Sequence, residues 1–81
     1  MQLCIDAGNT QVKYGVFKNR RLIHKDMSEL LDVTLLEKII RQFYPERAIL
    51  SSVRKRDPAF LKAVKNVCAL TELSHTTALP I

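Results

Sequence analysis

The sequence is poor in the residues that punctuate or staple a chain. It has no tryptophan, two glycines, three prolines and two cysteines among 81 residues. So little glycine and proline excludes collagen-like and linker classes. With 47% hydrophobic residues and a mean hydropathy near zero, it is too apolar for a disordered segment. Cys4 and Cys68 are too few and too far apart for a disulfide framework or a zinc knuckle. Each has apolar neighbours, which predicts two free thiols used as small core residues. His24 and His75 have no second ligand at metal spacing, so no metal site made of side chains alone is expected. No apolar run nears the roughly 18 residues of a membrane span. Residues 1–6 lack the basic and apolar regions of a signal peptide. The expectation is a soluble, cytoplasmic chain that engages no membrane.

A chain of this length buries only about 60–65% of its unfolded surface, so it holds one small core. It is short for an enzyme that closes over two substrates, because such sites usually lie between lobes. Residues 1–81 are therefore read as one domain of something larger. Thirteen Lys and Arg against eight Asp and Glu give a net charge of +5. The basic residues group at Lys18, Arg20, Arg21 and Lys25 and again at Arg54-Lys55-Arg56. Grouped charge can attract a polyanion. No aromatic residue is interleaved for base stacking, which favours solvated turns and loops over a nucleic-acid surface.

Residues 1–27 read as three strands. Leu3-Cys4-Ile5 is a continuously apolar run, as in a strand covered on both faces. Gly8-Asn9 suits a tight hairpin turn, in which glycine would accept a positive φ. Val12, Tyr14 and Val16 then alternate with Lys13, Gly15 and Phe17 at the strand period. A polar turn at Lys18-Asn19-Arg20-Arg21 precedes a third strand from Leu22-Ile23. Leu35, Leu36, Ile39, Ile40 and Phe43 share one helical face, with Thr34 and Glu37 spaced as a capping box and Pro45 as the stop. Ala48-Ile49-Leu50 predicts a fourth strand ending at Ser51-Ser52-Val53. Asp57-Pro58 starts a second helix with an apolar face of Phe60, Leu61, Val64, Val67 and Cys68. A last strand over Ala69–Leu73 and an irregular tail complete the chain. The order β-β-β-α-β-α-β predicts an α/β fold, a mixed five-stranded sheet laid out as a ribonuclease H-like lobe, with crossovers adding parallel strands beside the first.

Chemistry concentrates where the first strand ends. Asp6-Ala7-Gly8-Asn9-Thr10-Gln11-Val12-Lys13 combines a glycine that lets backbone amides approach an anion, the donors Asn9 and Thr10, and the point charge of Lys13. Asp6 at a strand end can hold Mg²⁺, which keeps several waters and uses one or two carboxylates with phosphate oxygens. The same residues are also good hairpin chemistry, and the short pattern alone does not separate the two readings.

The longer pattern Leu3-x-Ile5-Asp6-x-Gly8-Asn9-Thr10-x-x-Lys13-x-Gly15-x-Phe17 resembles the first phosphate motif of type III pantothenate kinases. These are members of the superfamily of acetate and sugar kinases, heat-shock chaperones and actin, built from two ribonuclease H-like lobes with ATP between them. Ser51-Ser52-Val53 is similar to a Ser-Val segment of the family, and Leu79-Pro80-Ile81 to the stretch ahead of its substrate-binding tyrosine. The resemblance implies transfer of the γ-phosphate of ATP to pantothenate, the first step of coenzyme A synthesis. It implies residues 6–13 as the ATP-phosphate segment, Asp6 for Mg²⁺, a potassium or ammonium ion in the parent enzyme, and a homodimer. By the same resemblance, the Gly-x-Asp-Arg segment with the general base falls beyond Ile81, so the chain alone is expected to be inactive. Two rivals stand beside this reading: a ribonuclease H-like nuclease, which would need further carboxylates near Asp6, and a non-enzymatic nucleotide-binding or interaction module of the same fold.

Overall fold

Strand β1 (Gln2–Ala7) lies at the centre of the sheet, and the rest of the molecule is arranged by what pairs with it. In the computed structural model, which describes residues 1–53, 57–73, 79 and 81, the further elements are β2 (Val12–Lys18), β3 (Arg21–Ser28), α1 (Val33–Phe43), β4 (Arg47–Ser52), α2 (Pro58–Lys65) and β5 (Ala69–Leu73). The order along the chain is the one expected. The sheet runs β3-β2-β1-β4-β5. Strands β1, β2 and β3 form an antiparallel meander, while β4 joins β1 and β5 joins β4 in parallel.

Both helices cover one face of this sheet. Leu3, Ile5 and Ala7 of β1, Val12, Tyr14 and Val16 of β2 and Ala48 and Leu50 of β4 are buried in one cluster with Leu36, Ile39 and Ile40 of α1 and Phe60, Leu61 and Val64 of α2. Side chains alternate across a strand, so each of these sets comes from every second position. Complete burial of such a side chain contributes about 1.5–3 kcal/mol, and this cluster supplies most of what orders the chain. The half-buried Phe43 at the end of α1 sets its ring 4.9 Å from that of His24 on β3. Tyr14 is fully buried, yet its hydroxyl is satisfied. It bonds Ser28 Oγ at 2.9 Å and accepts the Asp32 N–H at 3.3 Å, while Ser28 Oγ donates to the Leu30 carbonyl at 2.6 Å. This chain of bonds ties β2 to the segment that leads into α1.

Local features depart from expectation in three places. The β1–β2 hairpin turns one residue later than Gly8-Asn9: Ala7 pairs with Val12, and the Gly8 N–H donates to the Gln11 carbonyl at 3.0 Å around Asn9-Thr10. No glycine has positive φ; the left-handed pair is Asn19 (φ 52°) and Arg20 (φ 66°), in the turn between β2 and β3. The cap of α1 is Asp32, which is extended and accepts the Leu35 N–H at 3.1 Å, and not the Thr34–Glu37 box. Thr34 already lies inside the helix, where its backbone is helical and cannot take the cap geometry. Helix α2 ends at Lys65, earlier than its apolar pattern suggests, so Val67 falls outside the helix and is 52% exposed.

The other helix signals hold. Asp57 caps α2 by accepting the N–H groups of Ala59 (3.1 Å) and Phe60 (3.2 Å), with Pro58 next in the first turn. Tyr44, in the left-handed region, donates its N–H to the Ile40 carbonyl at 2.8 Å and ends α1 ahead of Pro45. The basic loop 54–56 and most of the tail, residues 74–78 and 80, lie outside the described residues. Among the described residues no helix is long and apolar enough to cross a membrane.

Candidate phosphate-binding site

The residues singled out at the end of β1 divide between two environments. Ala7 and Val12 are buried in the core on the helix side. Their role is to fix the two strands that flank the loop, and the Ala7 carbonyl also accepts the Val53 N–H at 3.0 Å. Asp6, Gly8, Thr10, Gln11 and Lys13 line a small cleft of about 190 Å³. Asn9 is exposed at the loop tip and is not part of that lining. Alternation explains the split: Asp6 and Lys13 are direct cross-strand partners on the face that carries no helix, one residue out of phase with Ala7 and Val12.

The loop is built to present donors. The Gly8 amide is spent on Gln11, whereas the amides of Asn9 and Thr10 have no hydrogen-bond partner among the described residues. Thr10 and Lys13 both line the cleft, so backbone and ammonium donors are available there to an anion. Asp6 supplies the opposite charge, and the described residues give neither Asp6 nor Lys13 an ion-pair partner. No group of three or more His, Cys, Asp or Glu converges among the described residues. A divalent ion would therefore have one carboxylate from this cleft and draw its other ligands from water and phosphate oxygens, which is how Mg²⁺ is commonly held on a nucleotide. The cleft is smaller than the roughly 300–1,000 Å³ of sites that enclose a whole small molecule, so it suits a phosphate group and not a nucleoside.

Ser51 stands next to this pair. It faces Asp6 in the parallel register of β1 and β4, on the same side of the sheet, and is 2% exposed. Ser52 pairs with Ala7 and so belongs to the helix side. Of the two serines, only Ser51 shares a face with Asp6, a distinction that depends on a pairing no local pattern encodes.

A second and larger hollow, about 470 Å³, was not anticipated. It lies on the same helix-free face at the opposite end of the strands, lined by Gln2, Cys4, Phe17, Arg20, Arg47 and Ile49 among others. Its trace in the sequence is the pair of unbroken apolar runs Leu3-Cys4-Ile5 and Ala48-Ile49-Leu50, where alternation should have placed a polar residue. Gly15 floors the middle of this face; a Cβ there would come within 3.2 Å of Ile81 and Leu22 side chains. Both cysteines are free and buried, and burial pushes both thiols up, so neither is an activated nucleophile.

No known family profile matches the chain. It is 35% identical to a type III pantothenate kinase of Christiangramia forsetii over 82 aligned residues, which cover 99% of this chain and 34% of that protein. The chain thus spans about a third of the length of this curated relative. Its structure is similar to that of RuvC from Thermus thermophilus, with a TM-score of 0.60 at 16% identity, over 90% of this chain and 63% of that one. The fold is ribonuclease H-like, as its element order implied.

Proposed function

We propose that these 81 residues are the lobe of a type III pantothenate kinase that binds the phosphates of ATP, and that the parent protein converts ATP and pantothenate to 4′-phosphopantothenate and ADP at the start of coenzyme A synthesis. The observation that carries this reading is the 35% identity maintained across 99% of the chain. The cleft supports it with residue types suited to the task. Phosphoryl transfer is largely positioning and charge neutralisation. In this proposal Lys13 and the open amides of Asn9 and Thr10 take phosphate oxygens, Thr10 and Gln11 add polar side chains, and Asp6 meets the Mg²⁺ that travels with ATP. When bound, that ion would neutralise charge on the phosphates.

The proposal also covers what these 81 residues do not contain. No Gly-x-Asp-Arg segment occurs among the 81 residues, so the general base implied by the resemblance would come from elsewhere in the parent, and this chain alone would not phosphorylate pantothenate. A second lobe, a potassium or ammonium ion, a homodimer and a cytoplasmic location belong to the same proposal. The fold shared with RuvC does not favour a nuclease. Such chemistry assembles several carboxylates around two metal ions, and the position facing Asp6 on β4 is a serine.

The test is made in the parent protein. Asp6→Ala is expected to lower ATP-dependent phosphorylation of pantothenate by about 10²-fold or more, the scale seen when a preorganised charge is removed from such a site. Activity retained within a few-fold by a folded variant would overturn the assignment of the site.

A further inference from the structure

The cleft holds one carboxylate and one ammonium side by side, and the third position in that row is neutral. Lys13, Asp6 and Ser51 are consecutive partners across β2, β1 and β4 on the helix-free face. Neighbouring strands are about 4.8 Å apart, so a side chain at position 51 stands roughly that far from the one at position 6. Ser51 is also nearly out of water, at 2% exposure. A charge placed there would be poorly screened and would act strongly on its neighbour.

We propose that Ser51 determines the ion preference of this cleft: a neutral residue beside Asp6 leaves a balanced carboxylate–ammonium pair that admits a phosphate chain, whereas an acidic residue there would make a two-carboxylate site that takes a bare divalent cation. The proposal rests on the reading of residues 6–13 as a phosphate site. Two carboxylates within about 5 Å repel unless a cation lies between them, and that arrangement collects divalent ions. The same repulsion opposes an incoming polyphosphate, which must also approach Lys13. With serine in place, the ion enters with the phosphate oxygens that complete its coordination. Position 51 thus separates two chemistries that the same sheet can support, and it does so through charge alone.

The experiment uses the 81-residue chain and the pair Ser51→Asp and Ser51→Asn, which add the same bulk and differ by one charge. Amide shifts of Gly8, Asn9 and Thr10 are followed by NMR during titration with sodium tripolyphosphate, with and without MgCl2, and with MgCl2 alone. The wild type is expected to bind tripolyphosphate and to show no saturable response to MgCl2 alone up to about 10 mM. Ser51→Asn should bind tripolyphosphate within about threefold of wild type, while Ser51→Asp should lose about tenfold or more and gain saturable Mg²⁺ binding. Equal tripolyphosphate binding by the Asp and Asn variants would overturn the proposal and leave the phosphate site standing. No tripolyphosphate binding by the wild type would overturn the phosphate reading itself, and this inference with it. If Ser51→Asp does not fold, the wild type decides: saturation by MgCl2 alone overturns the role given to Ser51.

Discussion

The two faces of the sheet are made from the same strands and do opposite work. On the helix side, Leu3, Ile5, Ala7, Val12, Tyr14 and Val16 are at most 1% exposed. There β1 and β2 supply only packing, apart from the satisfied hydroxyl of Tyr14. One residue out of phase, Asp6, Lys13 and Ser51 form a polar row, and Cys4, Gly15, Phe17 and Ile49 make an apolar floor without a helix over it. A strand period of two lets adjacent residues answer to different demands. The eight-residue stretch from Asp6 to Lys13 shows this most directly, since Ala7 and Val12 anchor the loop from the core while their neighbours shape the cleft.

Substitution on each face should separate stability from binding. Phe60→Ala opens a cavity between α2 and the sheet and is expected to cost about 3–5 kcal/mol, measured by urea unfolding. That is a large part of the stability of so small a domain. Asp6→Ala, on the other face, should change stability by less than about 1 kcal/mol while removing the phosphate-binding role proposed for the cleft. If the two variants unfold alike, the division of labour between the faces fails.

The cysteines test the same comparison more finely, since Cys68 belongs to the helix-side core and Cys4 to the helix-free face. Burial raises both thiols, so the folded state holds its protons more tightly than the unfolded chain. The stability this provides is fully present below the unfolded thiol value of about 8.5 and declines as pH rises from there toward the folded values. Both thiols should therefore react slowly with iodoacetamide at pH 8 in the folded chain and quickly in urea. Fast alkylation of Cys4 alone would show that the helix-free face opens to water. The smallest effect is expected at the β2–β3 turn, at the rim of the second hollow. Arg20→Gly relieves a left-handed residue and should stabilise by about 0.5 kcal/mol, read as a small rise in melting temperature.

Much of the fold is legible in the sequence because its signals are local. The helical spacing of Leu36, Ile39 and Ile40, the Asp57-Pro58 start of α2 and the alternation along β2 each lie within one segment, and all three are found where expected. Signals that depend on where an element begins proved less secure. Thr34 and Glu37 satisfy a capping pattern, but Asp32 is the residue with extended backbone and takes the cap. Gly8 looked like the left-handed member of a tight turn, yet that conformation belongs to Asn19 and Arg20.

The sequence by itself therefore determined the order of strands and helices, the alternation of β2 between two faces, and the run of residues from Asp6 to Lys13 that carries the resemblance to a kinase motif. Tertiary structure alone decided which face received both helices and which of two adjacent serines joined Asp6. The reason is physical. Periodicity acts within a segment, whereas the register of a parallel pair joins β1 to a strand reached only after two other strands and a helix, and a slip of one residue would have put Ser52 in the place of Ser51.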